Sequence, residues 1–256
     1  MPPADRTGRP NRTTDLSAVA DLLWRADPDP TEASRPRLSV ELIVGTAVAL
    51  ADAEGLDALS MHRVASELGC TAMALYRHVP SKNQLLAAMT DAATGSPPTP
   101  PTTTAWRPEV EGWVDALWGR YLRHPWMPRT PTLGPPVGPN ELAWFEALLS
   151  PLHRSGLDRA DLVPLATFIS SAVRDLARVS VAPDPAGAAA YGQVLAERLD
   201  PERFPTLCSL VGGSGLDEAE DGDVTPIVHH GMRRLLDGIE ARARPSSTPG
   251  GEERRG

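Results

Sequence analysis

Lysine is almost missing from this chain: Lys82 is the only one, and arginine supplies the rest of the 25 basic residues against 33 acidic ones. The net charge of −8 argues against a broadly basic surface of the kind that coats nucleic acid non-specifically. Cysteine is scarce too. Cys70 and Cys208 stand far apart and without metal-ligand spacing, which excludes a disulfide framework and fits a reduced compartment. No stretch approaches the roughly 18 consecutive apolar residues of a membrane span. The opening MPPADRTGRPNRTTD has no apolar core behind its charges, so it does not read as a secretory signal. A cytoplasmic location without membrane contact is the expectation.

What is present is helix and proline. Apolar residues at 41% and charged ones at 23% are ordinary for a soluble globular chain. Residues 1–37 are rich in Pro, Asp, Arg and Thr and predict a disordered arm, within which Ser17–Trp24 has the pattern of one or two amphipathic turns. Apolar residues at Ile43, Ala47, Leu50 and Ala51 recur at helical spacing over 39–54, and Gly55 supplies a stop. Ser60 suits the N-cap of a short helix ending at Leu68, with Gly69 at the position after its end. Thr71 caps a second short helix, Ala72 to His78, which Pro80 forbids from continuing. Ser81 with Gln84 has the spacing of a capping box opening a further helix to about Ala93.

TGSPPTPPTTT over 94–104 has linker composition, dividing a unit over 38–94 from a larger one over 105–243. In the latter, helices are expected near 106–123, 139–153, 158–180, 185–199 and 225–243, with Pro/Gly-rich connections at 124–138 and 205–223. The tail, 244–256, predicts disorder. No alternating strand pattern or internal repeat stands out. The fold class is therefore all-α, a small N-terminal bundle followed by a larger C-terminal one.

Two short capped helices around a Gly-containing turn are helix-turn-helix geometry. Val64, Ala65, Leu68 and Leu75 can face the bundle core, leaving the second helix to enter a major groove about 12 Å wide. The run from Ser39 to Ala93, with EGLDALSM, RVASELG, ALYRHV and SKNQLL in tandem, resembles the tetracycline-repressor (TetR) family of bacterial regulators. Leu75, Tyr76, His78, Lys82, Leu85 and Leu86 fall on that family's characteristic positions.

The resemblance implies that the helix beginning at Ala72 reads operator DNA, and that Tyr76 and Lys82 touch phosphates. His62, Arg63, Thr71, Ala72, Met73, Ala74, Arg77 and His78 complete the candidate DNA-contacting set. Plainer readings stand beside these: Tyr76 as a core aromatic, Arg77 and His78 as a solvated helix end, and Lys82 as an exposed surface residue. Lys82 opposes the dipole of the helix it opens, and a lone lysine there fits the phosphate contact that the resemblance implies, with the helix N-terminus assisting. His62 departs from the arginine common in relatives, so its charge depends on pH. The apolar start of the reading helix points to thymine methyls and DNA shape. Arg35 and Arg37 suit either a minor-groove arm or a charged leader.

The stretch RYLRHPWMPRTPTLGPPVGPNELAWFEALL resembles a C-terminal domain of one branch of the same family, which implies effector binding and dimerisation. Trp113, Trp118, Tyr121, Trp126, Trp144 and Phe168 are the candidate ligand-binding residues, either as walls of an apolar cavity or as plain core. His124, His153 and Arg174 are possible polar orienters. The adjacent His229 and His230 point to different helix faces, which disfavours a metal pair.

The implied partners are a palindromic double-stranded operator, a second copy of the chain and a small apolar or amphipathic effector. By the resemblance, the dimer interface is a four-helix bundle, here from 158–180 and 225–243. Ile227, Met232, Leu235, Leu236 and Ile239 give the latter helix an apolar face. A regulator without an effector, gated by concentration or a protein partner, is the alternative. No nucleophile elbow, phosphate loop, metal cluster or paired carboxylates support an enzyme, and no cofactor or metal is expected.

Overall fold

The computed structural model describes residues 12–24, 38–99, 105–131, 135–180, 190, 193–194, 197–211 and 225–243. In chain order its helices are α1 (Arg12–Leu23), α2 (Val40–Glu54), α3 (Met61–Glu67), α4 (Ala72–Tyr76), α5 (Lys82–Thr94), α6 (Trp106–Arg123), α7 (Pro139–Arg154), α8 (Arg159–Ser180), α9 (Pro205–Val211) and α10 (Thr225–Ala243). Single 3-10 turns lie at Leu56–Ala58 and Met127–Arg129. The fold is all-α.

Caps set the N-terminal boundaries. The hydroxyls of Ser39, Ser60, Thr71 and Ser81 each accept from the backbone N–H three residues on, at 3.1–3.2 Å, removing one orphan donor per helix. The capping box at Ser81 is only half made. The Gln84 Oε1 is buried with no hydrogen-bond partner, so the return bond to the Ser81 amide is missing. Gly69 has φ +63°, a left-handed conformation that any Cβ would strain, and it turns the chain from α3 into α4. Helix α4 stops at Tyr76, two residues earlier than predicted. Ahead of Pro80 the last turn tightens, with the Arg77 and His78 amides donating to Ala74 and Leu75 carbonyls, a 3-10 pattern.

Ile43, Val64, Leu75, Val79, Leu85 and Met89 are fully buried and close the head formed by α2 to α5. The same core runs on without a break into α6 (Trp113, Leu117), α7 (Leu148, Leu152), α8 (Ile169, Val173) and α10 (Met232, Leu236). Helix α5 packs on α2 in the head and also on α6 and α7. It therefore belongs to both bundles, whatever the linker composition after it suggests.

The expected disordered arm is corrected over Arg12–Leu23, where α1 packs on α5. Val19 and Leu22 are buried, and the Trp24 Nε1 donates to the Val137 carbonyl at 2.8 Å. A short helix with weak propensity is stabilised by such tertiary contact. Residues 1–11 and 25–37, including Arg35 and Arg37, lie outside the described residues, as do the tail from 244 and most of the helix expected at 185–199. Within the expected connection at 205–223, residues Pro205–Val211 form α9 instead; the proline at its first position is compatible with a helix start. On α10 the buried stripe is Val228, Met232, Leu236 and Ile239, while Ile227 is exposed.

Candidate nucleic-acid interface and internal cavity

The head presents α4 outward. Leu75 is fully buried and anchors the helix, so side chains on the opposite face project from it. Met73 is 69% exposed, the most open of the large hydrophobic side chains among the described residues, and Tyr76 is 40% exposed. The Tyr76 ring is thus outside the core. Thr71 uses a lone pair on the Ala74 amide but keeps its hydroxyl proton for donation. Ala72 and Ala74 add little beyond their methyl groups. His62 and Arg77 are exposed, and His78 is half-buried.

Two of the cations expected here are engaged within the protein. The Arg63 guanidinium bridges Glu54 at 2.7 Å and Glu67 at 2.9 Å, tying α2 to α3. The Lys82 ammonium donates to the Leu59 carbonyl at 2.8 Å, tying the start of α5 to the residue before the α3 cap. A lysine ammonium has three donors, so this bond leaves two for a phosphate.

A cavity of about 670 Å³ lies between α5, α6, α7, α8 and the segment after α6. Trp113, Tyr121 and Trp144 line it, together with Leu117, Met127 and Phe145. Its polar groups are Thr90 and Thr94 from α5, Glu141 from α7, and Thr167, Ser170, Ser171 and Arg174 from α8. Burial pushes the Tyr121 phenol up to about 12, so it stays a neutral donor and acceptor. Burial, with Asp91 close by, also raises Glu141, and burial raises Asp91. The Arg174 guanidinium bonds the Thr130 carbonyl.

The two cavity indoles are locked by their own N–H groups. Trp113 Nε1 donates to the Trp144 carbonyl and Trp144 Nε1 to the Gly95 carbonyl, both at 2.8 Å. Their rings meet edge to face at 5.7 Å, a favoured aromatic geometry.

Three of the six expected ligand residues are not on this wall. Trp118 is buried elsewhere in the core, with its Nε1 lacking a partner. Trp126 Nε1 donates to Asp52 on α2 at 2.6 Å, and His124 Nδ1 lies 2.8 Å from the same oxygen; both belong to a junction with the head. Phe168 is 60% exposed, because the buried face of α8 is set by Ala166, Ile169, Val173 and Ala177. His153 borders a separate open cleft between α7 and α8. His229 faces Asp115 at 2.8 Å. Among the described residues no group of three His, Cys, Asp or Glu is placed to hold a metal, and no helix is long and apolar enough to cross a membrane.

Thr90 and Thr94 are not legible in the sequence as cavity residues, because the linker composition after α5 assigns that helix wholly to the head, and Glu141 reads as an ordinary first-turn acid of α7. One available signal was Asp91, a carboxylate set among the apolar positions Leu85, Ala88 and Met89 of an amphipathic helix.

Comparison with known proteins agrees along most of the chain. Residues 43–89 match the family model "Bacterial regulatory proteins, tetR family", and residues 98–243 match "Tetracyclin repressor-like, C-terminal domain". This chain belongs to the TetR family. It is 31% identical over 265 residues to the HTH-type transcriptional repressor DrrR1 of Streptomyces coeruleorubidus, covering 95% of each chain. It is 30% identical over 164 residues to an HTH-type transcriptional regulator of Saccharopolyspora erythraea, covering 64% of this chain and 69% of that one. Among solved structures, the TetR-family protein ActR of Streptomyces coelicolor in complex with actinorhodin superimposes with a TM-score of 0.69 at 28% identity, over 82% of this chain and 100% of ActR. ActR in complex with (S)-DNPA gives 0.68 at 27% identity, over 81% and 100%. As a TetR-family member, this chain is a DNA-binding transcriptional regulator, with α3 and α4 as its helix-turn-helix.

Proposed function

We propose that this regulator is a homodimeric repressor released from a palindromic operator by an amphipathic aromatic effector held in the cavity between α5 and α8. The observation that carries the reading is the composition of that cavity. It has indole and phenyl walls, a polar end at Glu141 and Arg174, and part of one wall built from α5 of the DNA-binding head. Such a space suits a planar ring system bearing oxygen functions at one edge. The likeness to ActR, solved with actinorhodin and with (S)-DNPA bound, supports the same ligand size and character. A ligand that prefers one arrangement of these helices shifts the equilibrium by its difference in affinity for the two states, and by no more.

On the DNA side, α4 enters the major groove with Thr71, Ala72, Met73 and Ala74 toward base edges. Tyr76, Arg77, His78, His62 and Lys82 flank the phosphates. Arg63 contributes mainly by holding α3 against α2. With few free cations on each head, affinity depends on two heads acting together on half-sites about 34 Å apart. The exposed Val163, Phe168 and Val179 of α8 and Ile227 of α10 form the surface for the second copy.

The test is operator selection in vitro with the full chain, followed by anisotropy titrations in the presence of polycyclic aromatic compounds, actinorhodin among them. Release of operator with a parallel rise in melting temperature supports the reading. Tight operator binding with no stabilisation or release by any compound would favour the effector-independent regulator.

A further inference from the structure

Helix α7 begins without a cap of its own. Its N-cap position is Gly138, which has no side chain to offer the first-turn amides. The acceptor comes instead from fifty residues upstream on α5: Asp91 Oδ1 accepts from the Glu141 backbone N–H at 2.9 Å, and Oδ2 accepts from the Asn140 Nδ2 at 3.0 Å. Glu141 is the third helical residue, the donor that a local N-cap side chain would serve, and the carboxylate charge suits the positive end of the α7 dipole. Asp91 is 4% exposed. The fit leaves no slack, since a Cβ on Gly138 would lie 2.1 Å from Asp91 Oδ1.

Two further bonds frame this contact. Trp144, one turn along α7, donates to Gly95 at the end of α5, and Trp24 after α1 donates to Val137 just before α7. Glu141 and Trp144 are also cavity walls. The same two turns of α7 therefore grip the end of the head helix and line the internal space.

We propose that Asp91 is a positioning residue for operator binding: by capping α7 from α5 it sets the direction in which the head presents α4, and it is one of the contacts through which the cavity bears on the head. This rests on the reading of α4 as the DNA-reading helix. A pair of heads binds two half-sites only at one spacing and angle, and α5 is the head helix that packs on both α6 and α7. Freeing its far end from α7 spreads the orientations of α4 and lowers the fraction competent to bind. Loss of this cap thus reproduces operator release with no ligand present.

The experiment uses full-length protein and the operator selected with wild type, measured by anisotropy without ligand, alongside circular dichroism and melting temperature. Asp91→Ala and Gly138→Ala attack one contact from its two sides. Both are expected to weaken operator binding at least about tenfold, within the usual range of allosteric coupling, while the helical signal at the assay temperature is retained. Asp91→Asn keeps an oxygen for the Glu141 amide, and the Asn140 amide can turn its own oxygen to the new Nδ2, so this conservative variant should stay within about threefold of wild type.

A cap that only stabilises would lower the melting temperature and leave the affinity of the folded protein unchanged; that result overturns the proposal. If Asp91→Ala fails to fold, Gly138→Ala set against Asp91→Asn decides, and a folded Gly138→Ala that binds operator as wild type does counts against the proposal. If wild type selects no operator at all, the DNA-binding reading falls and takes this proposal with it. An operator bound equally by every folded variant overturns this proposal alone.

Discussion

Replacing Lys82 with alanine should register in two independent measurements, because its ammonium is placed for two jobs. The bond to the Leu59 carbonyl at 2.8 Å is charge-assisted, a class with net worth of about 1.5–3 kcal/mol when sheltered. The side chain is exposed, so water replaces the lost donor and the effect falls toward about 1 kcal/mol. For a chain of this size that lowers the melting temperature by about 2–4 °C. The second job is electrostatic. Each phosphate contact contributes about 0.9 to the slope of log affinity against log salt. Two heads losing one contact each lower the slope by about 1.8, so a threefold rise in salt weakens wild type about sevenfold more than the variant. Anisotropy titrations on the selected operator at three or more salt concentrations, with a melting curve for each protein, read both numbers. A lower melting temperature with an unchanged salt slope would reduce Lys82 to a tether and refute its placement on a phosphate.

Three other outcomes follow from the geometry. Met73, the open apolar side chain of α4, is expected on thymine methyl groups. Swapping the contacted thymine for deoxyuridine should cost wild type about 0.8 kcal/mol, roughly fourfold, and cost Met73→Ala nothing; equal sensitivity in both proteins would place Met73 elsewhere. The carboxyl of Glu141 is raised by burial and by Asp91 close by, so folding favours its protonated form. Its contribution is full below the ordinary carboxylate range and lost as pH rises through the raised value. Glu141→Gln removes that loss, and its melting temperature relative to wild type should climb between pH 4 and 7; a flat difference would contradict it. Phe168→Asp should shift sedimentation toward the monomer and leave cavity binding of an aromatic probe intact, whereas lost probe binding in a stable dimer would return Phe168 to the ligand site.

The elements of the head were legible residue by residue. Ser60, Thr71 and Ser81 cap where their spacing predicts, and Gly69 takes the positive φ that the turn requires, because caps and turns are decided by a few neighbouring residues. Periodicity likewise placed α6, α7, α8 and α10, since an amphipathic face is written locally. It did not say what each face would meet. Trp113, Trp118 and Trp126 look alike in sequence, yet one lines the cavity, one lies in the core and one bonds Asp52. Only the crossing of helices distinguishes them.

The same limit explains α1 and the linker. Residues 12–23 are weak helix formers on their own, and contact with α5 makes the difference. Pro and Thr after α5 have the composition of a linker but say nothing about what packs against α5 itself. By itself, then, the sequence determined an all-α chain with a helix-turn-helix of known type, because local capping, periodicity and a tandem motif carry that information. The tertiary structure decided that α5 is shared between the head and the cavity, that Asp91 caps a helix fifty residues away, and that the few cations of the head are partly bonded to the protein itself. Those are pairings across distant sequence, and they depend on where helices cross rather than on what any one of them contains.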